Sequence, residues 1–293
     1  MFTRNHPFLF FLLVAGAMAT LCVVAITIIV VVVSDGTADI DGERVGVIEI
    51  NGAIIDSQRI INNVKLFRDN DAVKALVIRI NSPGGGVGPS QEIYREIRRT
   101  TERKKVIASM GAVAASGGYY VAAAADGIVA NPGTITGSIG VIMGYTNFEE
   151  LIEKIGLKAV VIKSGEYKDL GSPARPMTDR EKALLEEVTG DIHRQFVGDV
   201  AQGRHMEVDA VAVVADGRII TGEKAMALGL VDRMGNFQDA VQWAGELAGI
   251  EGDPEIIYPE KERLPFLQYL MESALQLWSE MRLRTELVPQ AKL

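Results

Sequence analysis

The chain has 293 residues, a formal net charge of −8 and no excess of Lys and Arg, which gives room for one sizeable domain or two small ones and argues against a generic DNA- or RNA-binding protein. Its one cysteine, Cys22, falls in an apolar run, so neither an intramolecular disulfide nor a cysteine-rich metal site is available. Stability has to come from a packed core or from assembly.

From Pro7 to Val33 the chain is almost uninterrupted apolar, and at about 1.5 Å per helical residue that run is long enough to cross a bilayer. Ala17-Met18-Ala19 has the small-x-small form of a cleavage site, but the apolar run continues well beyond it, so a signal anchor fits better than a cleaved signal peptide. Leu21, bulky where a lipoprotein site wants a small residue, argues against lipidation of Cys22. Arg4 precedes the span while Asp35, Asp39, Asp41 and Glu43 follow it, which places the short N-terminus in the cytoplasm and the rest outside. The expected division is an N-terminus and anchor over 1–34, a polar linker over 35–44, the main domain over 45–250 and a C-terminal segment over 251–293.

Val45 to Ile50 (VGVIEI) reads as a buried strand, and Ile60, Ile61, Val64 and Phe67 follow at helical spacing. The strand Ala75 to Ile80 ends abruptly in NSPGGGV (Asn81 to Val87), before a charged helix from Ser90 to Arg103 with Ile93 and Ile97 turned inward. A third strand, KVIASM, leads into AASGGYY (Ala114 to Tyr120). Next come a strand at Gly127 to Ala130, a loop NPGTITGS, a strand at Ile139 to Met143, a short helix near Phe148 to Ile155 and a strand at Lys158 to Lys163. Strands alternating with helices imply parallel βαβ units, so the expected fold class is α/β.

Thr178 with Glu181 forms a capping box that opens a long helix to about Val200, with Leu184, Leu185, Val188, Ile192 and Phe196 as its buried stripe. Gly229 ends the helix that starts near Gly222. Beyond Pro265 an amphipathic stretch, set apart by the polar Glu251 to Arg263, reads as either a subunit-contact or a membrane-surface helix.

Two βα turns carry the chemistry. Three successive glycines after a strand allow close backbone approach and an array of N–H groups suited to an anion or oxyanion, although the loop lacks the lysine and spacing of a P-loop. In AASGG, Ser116 is either a nucleophile or a small residue in a tight turn, and the local pattern leaves both open. If Ser116 attacks a carbonyl, the Gly117 N–H and one from the glycine loop are placed to hold the oxyanion. A base is harder to find. His6 precedes the span, and His193 and His205 stand in charged surroundings that read as solvated surface. A lysine kept neutral in a dry pocket is the alternative, because desolvation disfavours an ammonium ion.

NSPGGGV, MGAVAASGGYYVAAAAD, GTITGSIGVIM, IKSGEYKDLGSPARPMT and ADGRIITGEKAMALGLVD, in that order, resemble the signal peptide peptidase A family of membrane-anchored serine proteases, over about Val45 to Asp239. The resemblance implies a crotonase-like or Clp-protease-like α/β fold over 45–250, with Ser116 as nucleophile and Lys168 in EYKD as general base. It further implies that Ser138 orients the lysine and that Gly117 and Gly85 are the oxyanion donors, with Gly84 the neighbouring choice. No cofactor or metal is implied. The partners implied are signal peptides or similar apolar peptides, the membrane through the N-terminal helix, and further copies of the chain. The family has long forms with two tandem copies of the domain; one copy here implies a ring-like homo-oligomer with active sites shared between protomers, on the periplasmic side of a bacterial inner membrane.

The glycine loop and AAS motif are also similar to the Clp protease subunit and, more distantly, to enoyl-CoA hydratases. Residues 117–167 contain no histidine to serve as a Clp-type base, and the two turns carry no acidic residue for hydratase chemistry. Two further alternatives are a protease specific for one membrane-protein partner, as in the stomatin-cleaving enzymes, and a non-catalytic membrane scaffold.

Overall fold

Strands buried on both faces need near-continuous apolar runs, and the three longest strands among the described residues contain them, as VGVI, ALVI and VIASM. The structure is a computed structural model and describes residues 43–259, with residues 8, 11–13, 15–21 and 23–24 of the N-terminal segment. Strands β1 (Arg44–Asn51), β2 (Val73–Ser82) and β3 (Lys105–Ala115) run parallel, connected by helices α1 (Gln58–Asp69) and α2 (Val87–Thr101). The remaining strands are β4 (Gly127–Ala130), β5 (Ile135–Gly137), β6 (Ile219–Thr221), β7 (Arg233–Met234) and β8 (Glu255–Ile257). The sheet order is β6-β5-β3-β2-β1-β8, with β4 and β7 continuing from the first half of β3. Among the described residues only β5 and β6 pair antiparallel.

Period-two alternation assigns each strand's residues to one of two cores. Ile48, Ile50, Leu76, Ile78, Ile80, Val106, Ala108 and Met110 pack in the larger cluster with Ile60, Val64 and Phe67 of α1 and Ile93 and Ile97 of α2. Val45, Val47, Ala75, Val77, Ile107 and Val129 face the other way, onto Ala240, Val241 and Ala244 of helix α8 (Phe237–Ala248). Burying one such aliphatic side chain stabilises the fold by about 1.5–3 kcal/mol. The sheet is thereby covered on both faces, which leaves the carboxyl ends of its strands as the place where loops converge.

A register shift after Ile80 lets β3 change partners, pairing with β4 through Ile107 to Ser109 and with β5 through Val113 to Ala115. The last residues of β3 run without a gap into Ser116 and helix α3 (Gly117–Ala122). Three short helices complete the described body, α4 (Glu149–Lys154), α6 (Val208–Ala212) and α7 (Gly222–Ala227), with the long α5 (Asp179–Arg204) between the first two. The Thr178–Glu181 capping box is present in both directions, and Gly229 takes φ +75° just beyond α7.

Four sequence expectations require correction. Ile139 to Met143 is not a strand; the short strand is β5, inside the segment expected as a loop. Lys158 to Lys163 is not a strand either: Val160 is 85% and Ile162 98% exposed, and a β-prone run without a neighbour to pair with has no ladder. Along α5 the expected apolar stripe is buried only toward its C-terminal half, with Phe196 at 3% exposure but Val188 at 37%. His193 is half-buried and not a solvated residue, its Nε2 lying 2.7 Å from the Ala215 carbonyl. In addition, β8 lies in the polar segment expected to set off the C-terminus, where it pairs with β1.

No helix among the described residues is long and apolar enough to cross a membrane. Much of the expected span from Pro7 to Val33, the linker up to Gly42 and the amphipathic stretch after Pro265 lie outside the described residues.

Candidate active site

Ser116 occupies a backbone conformation that only a tightly framed turn can hold, with φ +52° and ψ −120°. Such a conformation costs a non-glycine residue about 1–3 kcal/mol and persists only where the surroundings fix it. Here the frame is β3 on one side, the Ser116 N–H donating to the Gly137 carbonyl at 2.9 Å on the other, and α3 beginning at the next residue. A serine on a sharp strand-to-helix turn is the geometry of a nucleophile elbow. Ser138, at φ +51°, is the second residue of this kind at the same end of the sheet, with its N–H on the Arg218 carbonyl at 2.7 Å.

The glycine loop lies directly against Ser116. Gly84, at φ +102°, donates its N–H to Ser82 Oγ at 3.1 Å and so spends its only donor inside the turn. Gly85 forms a parallel bridge with Ile54, but the bonds of that bridge run from Ile54 N–H to Gly84 O at 2.9 Å and from Gly86 N–H to Ile54 O at 2.8 Å. The Gly85 N–H is engaged by neither. Gly117 is the first residue of α3 and its N–H likewise has no partner among the described residues.

Gly85, Ser116 and Gly117 line one narrow cleft whose walls include Val87, Tyr120, Val141, Ile192 and Phe196. The aromatic wall is packed ring against ring: Tyr120 stacks on Phe196 with centroids 4.4 Å apart, and Tyr94 meets Tyr120 edge-on at 5.4 Å. Burial first, and then the hydrogen bond to the Asp199 carboxylate, pushes the Tyr120 phenol well above its ordinary range, so it stays a neutral donor. The cleft therefore presents a hydroxyl, two free amides and an apolar pocket. These walls were not anticipated, although Ile192 and Phe196 stand four residues apart on one helix face and Tyr120 stands one turn after Ser116.

Lys168 is not among the residues lining this cleft. It lies in an exposed turn, its N–H bonded to the Gly165 carbonyl at 3.2 Å, and its amine has no hydrogen bond or ion pair among the described residues. His205 is the exposed left-handed cap of α5, and neither it nor His193 lines the cleft.

Residues 98–251 match the family model described as Peptidase family S49, and residues 43–134 match that of Clp protease. Among curated relatives, a Synechocystis protein named as a candidate protease is 43% identical over 213 residues, which is 72% of this chain and 76% of the relative. The chloroplastic serine protease SPPA of Arabidopsis thaliana is 38% identical over 74% of this chain, and Protease 4 of Salmonella typhi 35% identical over 72%. The match spans 32% and 35% of those two longer proteins.

Proposed function

The chain belongs to peptidase family S49, the serine proteases of the signal peptide peptidase A type, and on that premise we propose that it is a membrane-anchored endopeptidase that cleaves apolar peptides such as released signal peptides. The observation that carries this reading is the junction of Ser116, on a strained strand-to-helix turn, with the two unengaged amides of Gly117 and Gly85 in one apolar cleft. In this mechanism the neutral amine of Lys168 takes the proton of the Ser116 hydroxyl as Oγ attacks the peptide carbonyl carbon. The Gly117 and Gly85 N–H groups hold the oxyanion, the term that often dominates acyl-transfer catalysis. The protonated lysine then gives its proton to the departing amine, leaving an acyl-enzyme that water hydrolyses. Ser138 orients the lysine, and Gly85 is favoured over Gly84 because the Gly84 N–H is already engaged by Ser82.

An exposed lysine is a poor base, since water stabilises its charged form. The reading therefore includes a neighbouring copy: Lys168 of one protomer meets Ser116 of the next, in a ring that closes by rotation. The exposed apolar side chains Val160, Val161 and Ile162, near Lys168 in sequence, support burial of this region against such a neighbour. The anchor is the apolar segment from Pro7 to Val33, and the catalytic body stands on the extracytoplasmic side of a bacterial inner membrane.

The test is digestion of a synthetic signal peptide by the full chain in detergent. Wild type should cleave it and Ser116→Ala should not; cleavage by Ser116→Ala at the wild-type rate would remove the nucleophile assignment.

A further inference from the structure

The turn that carries Lys168 is held by a chain of ion pairs that no catalytic role yet explains. Asp169, the next residue, has its two carboxylate oxygens divided between two cations: Lys163 Nζ lies 2.6 Å from Oδ1 and Arg175 Nε 2.9 Å from Oδ2. Lys163 also donates to the Glu166 carbonyl at 2.8 Å, so it clamps the turn before Lys168 as well as after it. Arg175 reaches the other way to Glu181, donating from Nη1 to Oε2 at 2.9 Å and from Nη2 to Oε1. Glu181 itself closes the capping box, accepting from the Thr178 N–H at 2.9 Å. The carboxylates are sheltered, with the Asp169 side chain 13% and that of Glu181 3% exposed.

Two consequences follow from charge and geometry. The turn is tied to the first turn of α5 through one guanidinium, whose planar fork suits two carboxylates at once. The second concerns Asp169 as a neighbour of Lys168. Adjacent residues of opposite charge do pair in this protein, as Arg68 Nε and Asp69 Oδ1 do at 3.3 Å. A carboxylate paired with a lysine favours its protonated form, the wrong state for a base. With both oxygens of Asp169 occupied, the Lys168 amine has no carboxylate partner. Of the other charged groups around this turn, Glu166 pairs with Arg180 at 3.4 Å, and Lys182 lies 3.8 Å from Glu186.

We infer that Arg175 and Lys163 are positioning residues that sequester the Asp169 carboxylate, so that the turn carrying Lys168 is held in place and the adjacent Lys168 amine is left without a counterion. The inference rests on Lys168 being the general base.

The experiment measures kcat/KM against pH for the full chain in detergent, with a fluorogenic apolar peptide, and monitors folding by thermal unfolding. Arg175→Gln frees one Asp169 oxygen and should move the rising limb of the profile to higher pH by about one unit, with KM little changed. Lys163→Met should move it the same way by less. Adding Asp169→Asn to either variant removes the competing charge and should return the limb to its wild-type position, which a purely structural role would not do. If Arg175→Gln does not fold, the Lys163→Met pair decides. A limb unmoved in the folded variant, or moved but not restored by Asp169→Asn, overturns the inference. Lys168→Ala separates the two levels: if it hydrolyses the peptide at the wild-type rate, the base assignment itself fails, whereas an inactive Lys168→Ala beside an unmoved limb sinks only the role of the ion pairs.

Discussion

Gly84 packs so closely beneath Ser116 that a methyl group on its α-carbon would sit 2.8 Å from the Ser116 Cβ and 2.7 Å from the Gly117 nitrogen. Both distances are below any real contact of a Cβ, and the positive φ of Gly84 adds strain for any side chain. Gly84→Ala should therefore push the glycine loop, and with it the Gly85 amide, away from the Ser116–Gly117 turn. The expected result is a fall of about 10²-fold or more in kcat, the size of losing one oxyanion donor. Labelling of Ser116 by a fluorophosphonate measures it, and an unchanged labelling rate would mean that this contact does not frame the site.

Ser116→Ala and Lys168→Ala should each reduce peptide hydrolysis by roughly 10³-fold or more while leaving thermal unfolding near wild type, because a nucleophile and its base act as a unit. Ser138→Ala should lose less. If the two residues meet across a subunit contact, mixing inactive Ser116→Ala and Lys168→Ala chains should restore about a quarter of the sites, by counting in a symmetric ring with random exchange. Mixed assemblies detected by mass spectrometry without any recovered activity would place both residues within one chain.

Replacing His193 and His205 together should leave the pH profile of hydrolysis in place, since one holds the Ala215 carbonyl and the other caps a helix. His193→Ala should still cost about 1 kcal/mol of stability, the usual size of a lost hydrogen bond. Collapse of activity in a folded double variant would reveal a histidine base.

The ion pairs around Arg175 also set an acid limit. Hydrogen bonds from Arg175 and then Thr178 bring Glu181 down to about 2, and hydrogen bonds from Arg175 and then Lys163 hold Asp169 well below the usual carboxylate range. Both groups titrate lower folded than unfolded. Their contribution is thus full above the ordinary carboxylate range of about 4, and is lost as pH falls from there through the depressed folded values, about 2 for Glu181 and lower still for Asp169. Urea midpoints of wild type and Arg175→Gln should therefore differ at neutral pH, and the gap should narrow as the solution is acidified toward pH 2. A gap that stays constant down the acid range would contradict this linkage.

The sheet from Arg44 to Ala130 was legible in the sequence because its strands are continuous apolar runs and its helices carry an apolar face at every third or fourth residue. The same logic misled at Lys158 to Lys163, where an apolar run alone cannot say whether another strand will lie beside it. β5 was missed for the converse reason: Ile135 to Gly137 is three residues of ordinary loop composition that become a strand only because β3 and β6 flank them.

At the site, the sequence by itself determined the residue types: a serine after a strand, glycines after the neighbouring strand, and no histidine within reach of a Clp-type pairing. Only the tertiary structure decided which amides are free, because that depends on Ser82 and Ile54 taking the hydrogen bonds on either side of Gly85. It also decided the positive φ of Ser116, which is imposed by β5 holding the turn from one side and α3 departing on the other. That Lys168 is not among the residues lining the Ser116 cleft belongs to the same class. Composition and periodicity are local properties that survive in an unfolded chain, whereas the direction of an N–H group and the neighbour of a side chain exist only once distant segments have packed together.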